Sequence, residues 1–378
     1  MSLRTLADEA PAMRSRGFDA TPVAAEIEGL AMDDWRAATR AGGLKWAIGT
    51  LCARANYDAG DLTGAIADTQ PDAVIVDLLA WGALSAAEAW GGPWACYSPF
   101  PLPLPSRAGP PVGPGLRPAH GPLGHLRDRL VQSVSRVGFE HLAGRKMATV
   151  RAELGLRPLA DATKVFATAP LHIYMSAEPF EYPRPDWPES VVMVGPCAWE
   201  PPGDLPAELS EIAEPLVLVT TSTDFQDDGR LVRAALEALA GEPLHVVVTM
   251  PSASARVVRL PPNATIFRFA PHSPILQRSV CAITHGGMGA TQKALALGVP
   301  VCAVPFGRDQ PEVARRVQVA AAGSRLPAWR LNPRRLRAKV EEAISCRPGA
   351  EEIARAFGNK RGAAEAADAI EQRLLELG

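Results

Sequence analysis

The sequence predicts an α/β fold in which parallel sheets are covered by helices. Short apolar runs alternate along the chain with longer helical runs, which is the pattern of α/β layering. Because the short runs are apolar at successive positions, both faces of each strand are expected to be buried, as in parallel sheets. The predicted strands are 3–6, 73–76, 94–97, 171–174, 191–194, 216–219, 244–248, 265–267, 281–283 and 301–304. The predicted helices include 126–144, 231–240, 291–297 and 363–377.

Two irregular segments interrupt this alternation. Residues 99–124 are rich in Pro and Gly, which disfavours regular structure and predicts a long surface loop. Loops of this length inside compact domains are commonly functional, so we favour a lid or substrate loop over a structureless excursion. Residues 196–215 contain Pro201, Pro202 and Pro206 between two strand-rich halves, and we interpret them as an interdomain linker.

Length, charge and cysteine usage exclude several classes of protein. The chain has 378 residues, which suggests two domains at roughly 150 residues each. A net charge of −2 provides no basic field for nucleic acid or a membrane surface. No apolar run approaches the roughly 20 residues of a membrane span, and residues 1–20 lack the apolar core of a signal peptide. The six cysteines are scattered without a C-x-x-C pair, so neither a disulfide framework nor a metal site is expected. We therefore expect a cytoplasmic protein.

The most informative segment is the glycine-rich run that follows the predicted strand 281–283. It reads His285-Gly286-Gly287-Met288-Gly289 and leads into a helix. Glycines at a strand–helix junction let backbone N–H groups approach an anion, and the helix N-terminus adds positive partial charge. His285 is placed to donate a further hydrogen bond to a phosphate oxygen. The alternative, a tight turn with a locally bonded histidine, fits this density of glycines less well, and the fingerprint G-x-G-x-x-G is absent.

A second strand end carries a run of hydroxyl side chains. Residues 220–223 leave the predicted strand 216–219, and Asp227 and Asp228 follow shortly afterwards. The hydroxyl groups either bind phosphate or cap the next helix, and the residues alone favour neither reading. Under both readings we expect Asp227 or Asp228 to cap that helix.

A third strand end carries a carboxylate beside an amide. Asp309 and Gln310 follow the predicted strand 301–304, at the end where open α/β sheets bind ligands. This pair suits two neighbouring sugar hydroxyl groups. The alternative is that Asp309 caps the helix that begins near Pro311.

These three segments, in this order, resemble the C-terminal half of family 1 glycosyltransferases of the GT-B fold. The similarity is to bacterial enzymes that glycosylate natural products of the macrolide, enediyne or polyketide type. It rests on a run of about 30 residues, far more specific than a lone glycine loop. The residues that carry it are His285-Gly286-Gly287-Met288-Gly289, Ala294-Leu295, Gly298-Val299-Pro300, Pro305 and Asp309-Gln310, with 267–272 resembling the aromatic-x-Pro element beside the nucleotide base.

The resemblance implies two Rossmann-like parallel-sheet domains that face a cleft. It further implies an inverting, metal-independent transfer of a sugar from a TDP- or UDP-sugar to a hydroxyl group of a hydrophobic aglycone. The nucleotide sugar is a co-substrate, and no cofactor is implied. The expected division is an acceptor-binding domain at 1–198, a linker at 199–214, a donor-binding domain at 215–360, and a C-terminal helix at 361–378 that packs back on the first domain.

Site residues are carried over position by position. The diphosphate would be bound by His285, the backbone N–H groups of Gly287, Met288 and Gly289, and the hydroxyl groups of Ser222 and Thr223. Phe269 and Pro271 would line the base pocket, and Asp309 and Gln310 would bind the sugar. Trp81, Phe100 and His125 would contact the acceptor.

The chain departs from the family pattern in two places. Ala290 stands where the family commonly has Ser or Thr, and we expect Thr291 to substitute in part. The family's general-base histidine lies in a Gly-His loop after its first strand, whereas residues 4–6 here resemble its second strand, so the histidine loop is missing from this chain. Asp77 matches the acidic partner of that histidine, although a strand-end cap is the alternative. His120 and His125 are weaker candidates for the base.

Two other classes of function share the same phosphate loop. A noncatalytic auxiliary protein would bind the nucleotide sugar without turnover. A nucleotide-sugar epimerase would convert the donor without an acceptor. For all three we expect a monomer or a homodimer.

Overall fold

The structure is a computed structural model and describes residues 1–119, 121–196, 199–222, 226, 228–250 and 260–376. The strands are β1 (Ser2–Thr5), β2 (Asp19–Pro22), β3 (Val74–Asp77), β4 (Trp94–Ser98), β5 (Leu171–Tyr174), β6 (Val191–Met193), β7 (Leu216–Thr220), β8 (His245–Thr249), β9 (Ala264–Phe267), β10 (Ser279–Thr284), β11 (Val301–Ala303) and β12 (Gly323–Arg325). The helices are α1 (Ala10–Arg14), α2 (Ala25–Gly29), α3 (Arg40–Thr69), α4 (Trp81–Trp90), α5 (Gly121–Glu153), α6 (Ala207–Ser210), α7 (Gly229–Ala238), α8 (His272–Gln277), α9 (Met288–Ala296), α10 (Gln310–Val319), α11 (Pro333–Ser345), α12 (Arg347–Gly358) and α13 (Ala363–Ile370). Within these ranges, none of the helices combines the length and the apolar character needed to cross a membrane.

The C-terminal half is built on a parallel sheet whose described strands have the order β12-β11-β10-β7-β8-β9. The strand order reverses between β7 and β10, and ligands bind at such a switch point in doubly wound sheets. Thr284 at the end of β10 pairs in register with Thr220 at the end of β7. The glycine-rich run and the hydroxyl-rich run therefore leave the sheet side by side.

The N-terminal half has a parallel sheet whose described strands have the order β3-β4-β5-β6, while β1 and β2 form a separate parallel pair. The predicted strand 3–6 is confirmed, but it pairs only with β2. The sequence did not predict β2, because Asp19–Pro22 contains no apolar run. The short β12 was also missed, since Gly323–Arg325 carries one glycine and two polar residues.

The ten predicted strands are all present, with ends that differ by at most two residues from the expected positions. The predicted helix 126–144 lies within α5, which begins earlier, at Gly121. Pro122 stands in its first turn, where a missing N–H is tolerated. The irregular segment expected over 99–124 is therefore shorter than predicted.

The last helix packs against the N-terminal sheet. Ala369 and Leu374 lie in one apolar cluster with Ala95, Leu171 and Ile173 of β4 and β5. The predicted helix 363–377 is α13 followed by a π-helical turn at Glu371–Leu375. The chain thus returns from the C-terminal half to the N-terminal half before it ends.

Candidate functional site

The glycine-rich run forms the turn between β10 and α9. Gly286 has a φ of 87°, a left-handed conformation that favours glycine, and a Cβ there would lie 3.2 Å from the Gln310 carbonyl oxygen. Its amide donates to Thr284 Oγ1 over 2.9 Å. Gly287 is the N-cap of α9 and offers no side-chain cap. The first amides of α9 consequently point out of the helix with no intrahelical acceptor, which suits an anion.

The start of α9 differs from the prediction in one respect. The helix begins at Met288 rather than at 291, because Met288, Thr291 and Leu295 are spaced to lie on one inward face. The Met288 side chain is part of the apolar core. Only its backbone amide remains for the diphosphate. Thr291 is fully buried and its Oγ1 has no hydrogen-bond partner among the described residues, so the expectation that it replaces in part the hydroxyl missing at Ala290 stays a prediction.

His285 lies at the end of β10 and is 8% exposed. Burial lowers the pKa of its imidazole, and the charge of Arg308 lowers it further, whereas the Asp228 carboxylate and the Thr220 backbone oppose the shift. The ring is therefore neutral at neutral pH. Its Nδ1 is buried and has no hydrogen-bond partner among the described residues. A neutral imidazole in this position can donate one hydrogen bond to a bound anion if its proton is on Nδ1.

The hydroxyl-rich run lies beside His285. The buried Ser222 donates its backbone N–H to Asp228 Oδ2 over 2.6 Å. Asp228, one of the two residues expected to cap α7, occupies its N-cap position but makes no side-chain cap bond there. The carboxylate is instead turned back toward the end of β7. Thr223 and Asp227 lie outside the described residues.

The Gln310 side chain is engaged in hydrogen bonds within the protein. Its side chain is 2% exposed, and Oε1 accepts from the amides of Phe306 (2.7 Å) and Gly307 (3.1 Å). Its Nε2 donates to Gln226 Oε1 over 2.5 Å. Because both oxygen lone pairs and one N–H are engaged, the carboxamide fixes the loop that precedes α10. It joins this loop to Gln226, which follows β7.

Asp309 is the less satisfied member of the pair. It stands at the N-cap position of α10 but makes no side-chain cap bond, contrary to the alternative considered for it. Its Oδ2 is buried and has no hydrogen-bond partner among the residues described. Burial raises the pKa of this carboxyl to about 6, against the opposing charges of Arg308 and Arg316. A buried, unsatisfied acceptor next to the anion site is the arrangement that a sugar hydroxyl would satisfy.

The expected base pocket lies between β9 and α8. Phe269 is 66% exposed, and Pro271 is the N-cap of α8. Glu200 fixes this segment, because its carboxylate accepts from the amides of His272 (3.0 Å) and Ser273 (2.9 Å) and pairs with Lys293. Burial alone would raise the pKa of Glu200, but these donors lower it to about 2. An exposed ring on an anchored loop is available for stacking on a planar base.

The predicted acceptor residues differ in their burial. Trp81 is 3% exposed and packs edge-on against Phe139 (5.2 Å between ring centroids) and Phe166 (5.9 Å), so its place is the core of the N-terminal half. This burial does not support the expected contact between Trp81 and the acceptor, which stays a prediction. Phe100 is half-buried.

His125 is exposed at the start of α5 and lines a surface cavity of about 260 Å³. The other lining residues are Ser106, Arg107, Asp128, Arg129 and Gln132. This cavity joins the Pro-rich segment to α5. His120 lies outside the described residues.

Asp77 ends β3, and its partners include the Leu79 amide, which donates to Oδ1 over 2.7 Å, and the Tyr97 hydroxyl. Burial raises the pKa of Asp77. Another buried carboxyl group in this half, Asp58 of α3, was not predicted; it accepts a hydrogen bond from the Gly82 amide. Burial raises the pKa of Asp58 to about 7, and the charge of Asp77 adds to the shift. Only its apolar helical neighbours could have signalled that Asp58 faces inward.

Contacts between the two halves were also invisible in the sequence. The buried Arg316 of α10 makes a bidentate pair with Glu181 (2.9 and 3.0 Å) and a second pair with Glu312 (2.8 Å). Burial alone would raise the pKa of Glu181, but Arg316 and Arg184 outweigh it and lower that pKa. The one sequence feature that could have indicated these contacts is the i,i+4 spacing of Glu312 and Arg316 beside the apolar stripe of α10.

Comparison with known sequences gives a family and several relatives. Residues 233–377 match the model described as erythromycin biosynthesis protein CIII-like, C-terminal domain. The chain is 33% identical to 4'-demethylrebeccamycin synthase of Lentzea aerocolonigenes over 75% of its own length and 69% of that protein. It is 28% identical to a UDP-glucosyltransferase of Aspergillus versicolor (46% and 40% covered). It is 31% identical to the PGL/p-HBAD biosynthesis rhamnosyltransferase of Mycobacterium bovis (56% and 48% covered). The chain thus spans less than half of these last two relatives.

Comparison with solved structures gives the fold. A calicheamicin glycosyltransferase superposes with a TM-score of 0.72 at 21% identity, covering 99% of this chain and 90% of that one. The kitacinnamycin glycosyltransferase gives 0.74 at 22% identity, with 99% and 91% covered. The glycosyltransferase VinC in complex with dTDP gives 0.71 at 21% identity, with 100% and 92% covered. The predicted fold class, two Rossmann-like domains of the GT-B type, is confirmed.

Proposed function

We infer the reaction from one premise: the chain belongs to the family of natural-product glycosyltransferases that includes 4'-demethylrebeccamycin synthase. We propose that it transfers a sugar from a TDP- or UDP-sugar to a hydroxyl group of an apolar acceptor, with inversion and without a metal ion. The observation that carries the proposal is the open first turn of α9 beside the buried, neutral His285.

We propose that the diphosphate binds at the N-terminus of α9. There the amides of Met288 and Gly289 and the positive end of the helix dipole favour a dianion, and His285 adds one hydrogen bond. These groups would stabilise the negative charge that develops on the departing diphosphate, the task a metal ion performs in other transferases. The relatives supply both candidate bases: VinC is in complex with dTDP, and the Aspergillus relative is a UDP-glucosyltransferase.

We propose that the sugar and the base bind on either side of the diphosphate. Asp309, whose buried Oδ2 has no partner within the described ranges, would accept hydrogen bonds from sugar hydroxyl groups. Gln310 would act indirectly, because its carboxamide fixes the loop 306–310. The exposed ring of Phe269 would stack on the base.

An apolar acceptor is supported by the surface of α5. Five apolar side chains spaced at helical intervals along its first half are exposed: Leu123 (83%), Leu126 (53%), Leu130 (59%), Val134 (72%) and Val137 (60%). Contiguous exposed apolar side chains of this kind mark binding surfaces. The stripe begins beside His125 and its cavity, so an acceptor could extend from one to the other.

The proposed step is a single displacement. The acceptor oxygen attacks the anomeric carbon, the bond from that carbon to the diphosphate oxygen breaks, and the nucleoside diphosphate leaves with the electron pair. The acceptor proton passes to a general base. We propose Asp77, at the end of β3, as the acidic partner of that base; in the family pattern the base is a histidine, whose loop has no match among these 378 residues.

The test is the loss of nucleotide binding in His285→Ala. Removing a hydrogen bond to a charged ligand is expected to weaken TDP or UDP binding by about 1.5–3 kcal/mol, which calorimetry at pH 7.5 would resolve. His285→Gln, which retains an N–H donor, should recover part of the affinity. The matched control is His141→Ala, an exposed position on α5. Equal affinity of His285→Ala and the control would remove His285 from the site.

A further inference from the structure

We propose that two polar contacts between the halves form a clamp around Asp309 and set its position relative to the N-terminal half. The first contact joins Arg308 to Asp34, and the second joins Glu312 to the amides of Gly113 and Gly115. Arg308 and Glu312 are thus positioning residues, one on each side of Asp309 in the chain. The inference rests on the proposed role of Asp309 in sugar binding.

The first contact is a forked ion pair across the cleft. Arg308 Nε lies 3.2 Å from both carboxylate oxygens of Asp34, and Nη2 lies 2.8 Å from Oδ1. Both side chains are largely buried, 18% and 9% exposed. Arg308 has a φ of 51°, a left-handed conformation that is strained for any residue with a side chain. Because a glycine would adopt this backbone conformation without strain, the presence of an arginine indicates that the arginine side chain is needed.

The second contact fixes the tip of the Pro-rich segment. Glu312 Oε1 accepts from the amides of Gly113 (2.9 Å) and Gly115 (2.6 Å), while its other oxygen pairs with Arg316. Arg315 donates to the Gly115 carbonyl oxygen over 2.9 Å. Gly115 has a φ of 64°, and a Cβ there would lie 2.5 Å from the Pro311 carbonyl oxygen, so the segment and α10 are in close contact.

Asp309 stands between these two anchors. Residues 308 and 312 lie one before and three after it, and each contacts a segment of the N-terminal half more than 190 positions away in the chain. The same charged groups act on its carboxyl, because Arg308 and Arg316 lower its pKa while Glu312 raises it. A carboxylate at the N-cap of a helix moves with that helix, so loosening either anchor displaces the sugar-binding oxygen.

The experiment measures hydrogen exchange and the affinities for TDP-glucose, UDP-glucose, TDP and UDP on the full chain. Arg308→Gly and Asp34→Asn should each accelerate amide exchange over 30–39, and Glu312→Gln should do so over 110–117. Each should also lower the affinity for the nucleotide sugar about tenfold, the effect of losing a charge-assisted bond, with the affinity for the free diphosphate unchanged. The matched control is Gln70→Gly, another left-handed position (φ 43°) at the end of α3, which should change neither readout.

Faster exchange with an unchanged ratio of sugar-nucleotide to diphosphate affinity would overturn the positioning role. Weaker binding of the free diphosphate in Arg308→Gly alone would also overturn it, since Arg308 would then be a diphosphate ligand. Wild-type protein that binds none of the four ligands would contradict the proposed function instead, and the clamp would then have no sugar site to position.

Discussion

Replacing Arg316 with methionine is expected to lower the free energy of unfolding by about 3–5 kcal/mol, the usual cost of removing one partner from a buried ion pair. Arg316 is fully buried and pairs with both Glu181 and Glu312. Its loss leaves two carboxylates in an apolar interface with only weaker donors. Urea unfolding of the full chain at pH 7.5 measures the effect through the midpoint and slope.

The control for this loss is Arg337→Met. Arg337 also pairs with two carboxylates, Glu242 and Glu341, but its side chain is about half exposed. Exposed pairs contribute roughly 0–1 kcal/mol, so this variant should unfold almost as the wild type does. The double variant Arg316→Met with Glu181→Gln removes one stranded charge and should recover part of the loss. Equal costs for Arg316→Met and Arg337→Met would contradict the buried network.

Replacing Asp309 with asparagine is expected to stabilise the free protein and to weaken sugar binding. At pH 8 the ionised carboxylate is buried with one oxygen that has no partner in the described part of the chain, so its neutral isostere should raise the free energy of unfolding by about 1–3 kcal/mol. The same change should reduce the affinity for TDP-glucose or UDP-glucose by about 10–100-fold, because a charged acceptor becomes a neutral one. The affinity for free TDP or UDP should remain the same.

The pH dependence of this effect has a defined sign. Because the pKa of Asp309 is raised to about 6 in the folded chain, the folded state binds more protons than the unfolded state just below that pH. Asp309 therefore lowers stability as pH rises toward 6, and the full penalty applies above it. The stabilisation by Asp309→Asn should shrink to a small part of its value at pH 4, where the folded carboxyl is protonated and the unfolded one, with a pKa of about 3.9, is about half ionised. Thermal melts at pH 4, 6 and 8 check this.

The control for Asp309→Asn is Asp72→Asn, at an exposed position before β3. It should leave both melting temperature and sugar-nucleotide affinity unchanged at each pH. A lower melting temperature for Asp309→Asn at pH 8 would show that the carboxylate has a stabilising partner. An unchanged preference for the sugar nucleotide over the free diphosphate would exclude Asp309 from sugar binding.

Local patterns predicted those parts of the fold and site that depend on neighbouring residues. Buried strands such as β5 and β7 are apolar runs bounded by polar residues, so their positions follow from the sequence. The turn at Gly286 follows from its glycines, and the structure places His285 at the end of β10 as expected. Strand pairing then brings the loops after β7 and β10 together at the switch point.

The parts that were missed depend on which face of an element is buried. Trp81 and Met288 lie on inward faces of α4 and α9, and a motif alone does not reveal this. Gln310 faces inward in the same way and bonds to Gln226. Contacts between the halves, such as Arg308 with Asp34, join positions 274 residues apart and leave no periodic trace in the sequence.

The most direct test of the central claim is calorimetric titration of the 378-residue chain with TDP and with UDP in the presence of EDTA. The site at the start of α9 predicts micromolar binding of at least one of them, with the same affinity when Mg²⁺ replaces EDTA. Absence of binding to both, in a sample whose thermal melt shows a cooperative transition, would contradict the assignment of the diphosphate to this helix terminus. Binding that appears only with Mg²⁺ would contradict the proposed metal independence.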